Sequence, residues 1–255
     1  MSKWFSSGFR LQACLIGTAA TAVLLLASCG PKARIVGEVR DGFGKPLRDV
    51  EVSIATTAFK DRTGSNGKYA IPFAPGKFSL GFARSGYSSY SVNQEVSVET
   101  TVPLATITLY KHPLEKGIWL FGDNDYVAIR PGKLISAGGD RRNFAWTYQT
   151  TFRVSGDFTK VIQQKLFRFL DDSPEPLALL KVSDQGILAT RAESWMGLGN
   201  TLGTRIQEDT KGVADDMMLR EVSLGPGQYA YVRLDQNSGQ LSEPVFPFDV
   251  QPNNK

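Results

Sequence analysis

The chain has 255 residues, of which 42% are hydrophobic and 21% charged, so it can form one large domain or two domains of ordinary size. Its 29 basic and 25 acidic residues leave a formal net charge of +4, which is too small and too mixed to indicate a nucleic-acid partner. The only cysteines, Cys14 and Cys29, precede the expected folded region, so no disulfide can form within it, and the single histidine, His112, excludes a multi-histidine metal site.

Residues 1–28 have the features of an export signal. The first 13 positions carry Lys3 and Arg10 and no acidic residue, and residues 14–27 form a run of small and apolar side chains. A basic start, a short apolar run and small residues before a cleavage site are typical of a secretory signal peptide. The run is also shorter than the ~18–20 residues that a transmembrane helix requires. We therefore expect residues 1–28 to be removed on export.

The apolar run ends in Leu26-Ala27-Ser28-Cys29, which resembles the lipobox of bacterial lipoproteins. The resemblance implies cleavage before Cys29, acylation of its thiol and of the new amino terminus, and a lipidated tether over residues 29–33. The residue after Cys29 is Gly30 and not the aspartate that would alter the sorting of a lipoprotein between membranes. In this respect the sequence resembles outer-membrane lipoproteins. We expect a lipid-anchored protein of the bacterial cell envelope, in the outer membrane and facing the periplasm. A plain signal peptide with an incidental cysteine is the alternative.

Short strand patterns alternate with turn residues over residues 34–111. Residues 50–54 alternate polar and apolar side chains with a period of two, as a half-buried strand does. Asn66-Gly67 is a hairpin dipeptide, and Pro75-Gly76 precedes another alternating segment. Several short strands separated by such turns predict a β-sandwich.

The order and spacing of these residues form a specific pattern. Its positions are Gly37, Val39, Asp41, Gly44, Pro46, Leu47, Val50, Val52, Thr63, Asn66, Gly67, Tyr69, Ile71, Pro75, Gly76, Phe78, Leu80, Gly86 and Tyr87. The pattern resembles the carboxypeptidase regulatory-like domain, and that resemblance implies a seven-stranded sandwich of prealbumin-like topology. It further implies an accessory module without catalytic residues, in which the glycines and prolines shape the turns.

Residues 112–250 predict a second β-rich, sandwich-like domain, followed by a polar tail over residues 251–255. Pro113 interrupts strand continuation at the boundary. Residues 159–170 fit either one helix face or a strand before a turn, and we favour the strand. The Gly-rich and then charged residues 194–221 are expected to form a long loop. Pro226-Gly227 before an aromatic residue repeats the pattern of Pro75-Gly76 and suggests a related turn.

No catalytic motif stands out in the sequence, and we expect neither enzymatic activity nor a cofactor. A Ser-His-Asp arrangement using His112 lacks the Gly-x-Ser-x-Gly motif. Asp123 and Asp125 are weak candidates for a calcium site, with a plain turn as the alternative. Two acidic pairs could act in acid–base chemistry, but their neighbours favour solvated turns. These pairs are Asp171-Asp172 and Asp215-Asp216.

Tryptophans are the remaining candidate ligand contacts. Trp119 and Trp146 lie within apolar strand patterns, which favours core packing, whereas the surroundings of Trp195 favour exposure and stacking on a sugar ring. The sequence thus predicts a non-catalytic envelope protein that binds or scaffolds a protein partner through loops or edge strands. The alternatives are carbohydrate binding through Trp195 and a hydrolase within residues 112–250.

Overall fold

The computed structural model describes residues 33–97, 101–141, 147–172, 177–194, 197–214, 217–234 and 241–253. These residues form twenty-one β-strands, and none of them lies in a helix. The strands fall into five sheets, two in a first body and three in a second body. The predicted mainly β fold is therefore confirmed.

The first body contains eight strands in two facing sheets. Sheet A has the order β4-β1-β7, with β8 also paired to β1, and sheet B has the order β3-β2-β5-β6. The sheets enclose a core that includes Ile35, Val52 and Phe82, each at most 1% exposed. The strands are β1 Ala33–Asp41, β2 Glu51–Ile54, β3 Lys60–Arg62, β4 Lys68–Phe73, β5 Gly76–Ala83, β6 Tyr90–Val96, β7 Val102–Pro103 and β8 Ile107–Leu109.

Eight strands agree with the expected seven because β7 and β8 act as one interrupted strand. Both run parallel to β1, β7 beside Ile35 and Val36 and β8 beside Val39 to Asp41. The interruption between them is bridged by the Leu104 amide, which donates to the carbonyl of Val36 at 2.9 Å. When β7 and β8 are counted as one strand, the first body is a seven-stranded sandwich with β1 at the centre of sheet A.

The second body contains thirteen strands in three sheets. Sheet C has the order β10-β9-β14-β19-β18, sheet D has the order β13-β21-β20-β15, and sheet E has the order β11-β12-β16-β17. The strands are β9 Ile118–Phe121, β10 Tyr126–Ile129, β11 Lys133–Arg141, β12 Thr147–Ser155, β13 Thr159–Ile162, β14 Phe167–Asp171, β15 Leu177–Lys181, β16 Ile187–Ser194, β17 Gly197–Leu202, β18 Asp209–Ala214, β19 Met217–Val222, β20 Gly227–Leu234 and β21 Leu241–Gln251.

Sheet D is the middle layer of the second body. Its Tyr231 and Phe248 pack with Phe169 of sheet C in one core, and its Ala230 and Val232 pack with the β12 side of sheet E in another. A strand buried on both faces reads as a continuous apolar run, as residues 177–180 of β15 do. The second body therefore has three layers, one more than the two of a simple sandwich.

Two sequence predictions in the second body have different outcomes. Residues 159–170 form strands β13 and β14, as favoured, with Phe167 and Phe169 on one face as the period of two requires. The long loop expected over residues 194–221 is wrong, because β17, β18 and β19 lie there. Glycine has a weak preference for strands, but backbone hydrogen bonds to a neighbouring strand override it here. Strand β17 pairs with β16, and β18 pairs with β19.

The two Pro-Gly segments begin strands in the same way. Gly76 opens β5 with φ of 151°, and Gly227 opens β20 with φ of 142°. Both values lie in a region that residues with a Cβ rarely adopt. The two segments that resemble each other in sequence thus begin their strands with the same backbone conformation.

Candidate interaction groove beside the aromatic junction

An aromatic junction joins the two bodies, and its members are Phe43, Tyr110, Phe121 and Tyr126. Phe43 projects from the turn after β1, and its ring lies 5.3 Å from that of Phe121 and 5.2 Å from that of Tyr126. Phe121 is only 4% exposed and packs with Leu170 on the face of sheet C that points away from sheet D. The first body covers this face, which would otherwise expose its apolar side chains to solvent.

Polar contacts hold the same junction. The Tyr110 amide donates to the Ser88 hydroxyl at 2.9 Å, and the Ser88 amide donates to the Tyr110 carbonyl at 2.7 Å. Lys45 donates to the side-chain oxygen of Asn124 across the two bodies at 2.8 Å. Burial raises the pKa of Tyr110 and of Tyr126 above the ordinary value. These phenols therefore stay neutral at physiological pH.

The calcium candidates Asp123 and Asp125 lie in the turn between β9 and β10. Asp125 accepts the Tyr126 amide through its side chain at 2.9 Å and the Gly122 amide through its carbonyl at 3.0 Å. Both aspartates are exposed. Within the described ranges, no three His, Cys, Asp or Glu side chains come close enough to hold a metal ion. Asp125 thus supplies the oxygens that cap this turn.

A groove of about 600 Å³ opens next to the junction, between the outer face of sheet B and strand β18. Its floor is a row of small residues in register, Ser53 on β2, Gly81 on β5 and Ser91 on β6. A Cβ at Gly81 would meet only the Ser53 side chain and carbonyl, at 3.5 and 4.0 Å, so the floor is flat and not filled. Tyr90, 44% exposed, stands at one side.

The opposite wall of this groove is the last half of β18, Gly212, Val213 and Ala214. Strand β18 ends sheet C, and β19 is its one strand partner among the described residues. One row of its amide and carbonyl groups therefore has no strand partner among the described residues. An edge of this kind can accept a strand from another chain, and a flat floor lets a second backbone come close.

A charged recess of about 650 Å³ adjoins the groove and shares Ala83 and Ser89 with it. Arg62 and Arg84 line it beside Asp49 and Glu51. The hydrogen bond and charge of Arg48 lower the pKa of Asp49, and Arg84 and Arg62 add to that effect. The recess can therefore pair with charged side chains of a ligand that continues out of the groove.

The most deeply buried charges lie between sheets C and D. Arg220 donates to one oxygen of Asp171 at 2.8 and 2.5 Å and also contacts Glu208, while Tyr231 donates to Glu208 at 3.0 Å. Burial disfavours the charge of Arg220, but Asp171 and Glu208 outweigh it and raise its pKa. Burial, followed by the charge of Glu208, raises the pKa of Tyr231 well above its ordinary value. We call these four residues the buried ion cluster.

The expectation that Asp171-Asp172 forms a solvated turn is wrong. Both residues are 4% exposed, Asp171 in the buried ion cluster and Asp172 in an ion pair with Lys116 at 2.6 Å. A carboxylate held by a guanidinium is a poor proton donor or acceptor at neutral pH. The cluster therefore pairs one guanidinium with two carboxylates inside the sandwich, which is a structural role.

Two further candidate residues, Trp119 and His112, lie within the described part of the chain. Trp119 is half-buried against the Phe121 side of sheet C, and its indole donates to the Glu115 carbonyl at 3.1 Å. His112 lies in the segment between the bodies, where its amide donates to the Gly86 carbonyl at 2.9 Å. Five candidate residues lie outside the described residues, so the roles predicted for them from the sequence remain predictions. These are Cys29, Trp146, Trp195, Asp215 and Asp216.

Sequence reasoning missed the groove. Ser53, Gly81 and Ser91 are 38 positions apart at their extremes and carry no motif, so only the strand register brings them into one row. The available signal was the small outward residue in each of three alternating strands, where sheet surfaces normally carry longer polar side chains. Within the described part of the chain, no helix is long and apolar enough to span a membrane.

The fold is that of a stacked β-sandwich protein with a groove beside an edge strand. Within it, residues 34–110 match the family model of the carboxypeptidase regulatory-like domain. No curated protein sequence matches the chain.

Among solved structures, a cohesin–dockerin complex, a pilin and the TIE protein are similar to the chain at low identity. A type II cohesin–X-dockerin complex from Acetivibrio cellulolyticus matches 31% of this chain with 21% identity and a TM-score of 0.28, and the chain spans 58% of its length. A streptococcal ancillary pilin matches 87% of this chain and 59% of its own, with 12% identity and a TM-score of 0.27. The Bacillus anthracis TIE protein matches 87% of this chain and 32% of its own, with 13% identity and a TM-score of 0.27.

Proposed function

We propose that this protein is a lipid-anchored, non-catalytic component of the bacterial cell envelope that binds an extended segment of a partner protein. The groove between sheet B and β18 receives that segment. Its backbone pairs with the outer edge of β18 and lies over the row formed by Ser53, Gly81 and Ser91. The observation that carries this proposal is an unfilled groove of about 600 Å³ bordered by an edge strand.

The chemistry of the groove favours a polypeptide over a small-molecule substrate. Main-chain amides and carbonyls of β18 supply affinity for any extended backbone, and side-chain recesses supply specificity. The charged recess of Arg62 and Arg84 lies where the bound segment leaves the groove. In contrast, the most buried carboxylates of the second body, Asp171 and Asp172, are held by Arg220 and Lys116 and do not line the groove.

The anchor is proposed from the sequence around Cys29. Strand β1 begins at Ala33, four residues after Cys29, so the body would follow the acylated residue almost at once. Acyl chains on the thiol and on the amino terminus together give stable membrane attachment, which one chain does not. The outer membrane, facing the periplasm, is the proposed location because Gly30 follows the cysteine.

The anchor is tested by comparing the protein as produced with a Cys29→Ser variant. We expect the unaltered protein in the membrane fraction, with a mass that includes acyl chains on Cys29. We expect Cys29→Ser to lose that acyl mass. A mature protein that carries an unmodified Cys29, or that begins downstream of it, would contradict the anchor and leave the groove proposal standing.

The groove is tested by photo-crosslinking in cells from an unnatural amino acid placed at Ser91. We expect one discrete adduct that disappears in Gly81→Leu, because the new side chain fills the floor while its Cβ makes only ordinary contacts. Gly225→Leu is the matched control, since a Cβ there meets nothing within 4 Å and the residue is outside the groove. An adduct unchanged by Gly81→Leu overturns the proposal, as does an adduct that resists protease and is removed by glycosidases.

A further inference from the structure

The direction of β1 defines two ends of the first body. The strand starts at Ala33 and ends at Asp41, directly before the turn that carries Phe43 into the aromatic junction. Nine strand residues at a rise of about 3.3 Å each span about 26 Å. The tether therefore enters at one end of the first body, and the second body is attached at the other.

Two turns form the end at which the tether enters, and we call residues 55–59 and 73–76 the tether pole. Ala33 pairs with Phe73, next to the turn into β5, and Gly76 pairs with Val96 at the end of β6. The Ala55 amide donates to the Ser79 carbonyl at 2.9 Å, which places the turn between β2 and β3 at the same end.

The tips of the tether pole are small and uncharged. Their exposed residues are Ala55, Thr56, Thr57, Ala58, Ala74, Pro75 and Gly76. The nearest charges are Lys77, which pairs with Glu95 at 3.4 Å, Lys60, which pairs with Glu51 at 3.2 Å, and the exposed Arg34 beside the tether. The pole thus presents no unpaired acidic side chain among its described residues, and it offers one cation next to the anchor.

We propose that the tether pole rests on an anionic lipid surface, so that the first body stands upright and holds the second body away from the membrane. This inference rests on the proposed acylation of Cys29. Four residue steps from Cys29 to Ala33 reach at most about 14 Å when fully extended. Anionic headgroups attract Arg34 and meet no free carboxylate among the described residues of the pole, and this attraction extends over about a Debye length.

The upright stance keeps the groove open. Its lining residues Ala83 and Tyr90 lie at the ends of β5 and β6 opposite Gly76 and Val96. Seven steps along β5 place Ala83 about 23 Å farther from the pole than Gly76. A partner segment can therefore approach β18 without contact with the headgroups.

The test uses processed, lipidated full protein reconstituted in vesicles of phosphatidylethanolamine and phosphatidylglycerol that contain a headgroup spin-labelled lipid. With Cys29 acylated, Thr57→Cys or Ser85→Cys supplies the only free thiol for a fluorescent label. Both positions are exposed, Thr57 on the tether pole and Ser85 at the far end of β5. We expect at least about a twofold loss of fluorescence at Thr57 and almost none at Ser85, because headgroup quenching acts only near the bilayer surface.

A second arm replaces the anionic lipid by phosphatidylcholine and should weaken the quenching at Thr57. Equal quenching at the two positions, or stronger quenching at Ser85, overturns the upright stance. If quenching at Thr57 is the same in both lipid mixtures, the proposal that the pole rests on anionic lipid is overturned. Protein that does not float with the vesicles shows instead that the anchor has failed, so the two failures are distinguished.

Discussion

The ring of Phe43 lies 5.3 Å from the ring of Phe121, at an interplanar angle of 49°, and this contact joins residues from different bodies. The approach is close because Gly42 precedes Phe43, and a Cβ at position 42 would lie 2.9 Å from Tyr110 and 3.0 Å from Phe121. Tilted aromatic pairs add about 0.5–1.5 kcal/mol beyond the area that they bury. The orientation of the second body on the first therefore depends on one short turn.

Phe43→Ala should loosen the junction without unfolding either body. We expect the free energy of unfolding to fall by about 2 kcal/mol, less than for a fully buried phenylalanine because Phe43 is half-buried. Limited proteolysis should cut the segment at residues 111–117 faster in this variant. Tyr90→Ala, an exposed aromatic of the same body, is the control and should leave the cleavage rate unchanged. Equal cleavage in both variants would show that the junction does not restrain the bodies.

Arg220→Met should be among the most destabilising single changes in the second body. It leaves Asp171 and Glu208 buried without their cation, and breaking a buried ion pair from one side costs about 3–5 kcal/mol. Arg62→Met is the matched control, because Arg62 is 70% exposed and its pair with Glu51 spans 3.6 Å, so its loss should cost below about 1 kcal/mol. Chemical denaturation measures both, and similar losses would contradict the structural role of the cluster.

The first body was predictable because its signals are local. Turn residues such as Asn66-Gly67 and Pro75-Gly76 mark strand ends directly, and residues 50–54 show the period of two between them. The second body was predictable as β-rich but not as three layers. Its continuous apolar runs indicate burial on both faces, yet they do not show which sheet covers each face.

The buried ion cluster was not predictable because its members are distant in sequence. Asp171 and Arg220 are 49 residues apart, and a short acidic segment beside Ser173-Pro174 has the local composition of a turn. Strand β18 was missed for a related reason. Its first four residues are polar or small and exposed, and β19 rather than the composition of β18 determines the pairing.

Two glycines in the first body should respond differently to alanine. Gly67 has φ of 73°, and a Cβ there would lie 2.5 Å from the Val39 carbonyl oxygen, so Gly67→Ala should cost about 3 kcal/mol or more. Gly44 has φ of 82° with nothing within 4 Å, so Gly44→Ala should cost only about 1–2 kcal/mol of backbone strain. Urea titration of the two variants gives the comparison. Equal losses would mean that the main chain around Val39 moves to accept the methyl group.

Tyr69→Phe should change the pH dependence of stability more than stability at neutral pH. Tyr69 is 4% exposed, and its hydroxyl has no hydrogen-bond partner among the described residues, so its removal at pH 7 should change the free energy of unfolding by less than about 1 kcal/mol. Burial raises the pKa of Tyr69 to about 12.

In the unfolded chain the pKa of Tyr69 returns to about 10, so above that pH the unfolded chain releases a proton that the folded protein keeps. The contribution of Tyr69 is therefore complete below about pH 10 and is lost as the pH rises toward 12, by about 1.4 kcal/mol per pH unit. Tyr69→Phe should remove that part of the alkaline loss in denaturation curves measured across this interval. Tyr90→Phe, at an exposed phenol, is the control and should leave the slope unchanged. A Tyr69→Phe variant that keeps the parent slope would show that Tyr69 ionises in the folded protein at its ordinary pKa.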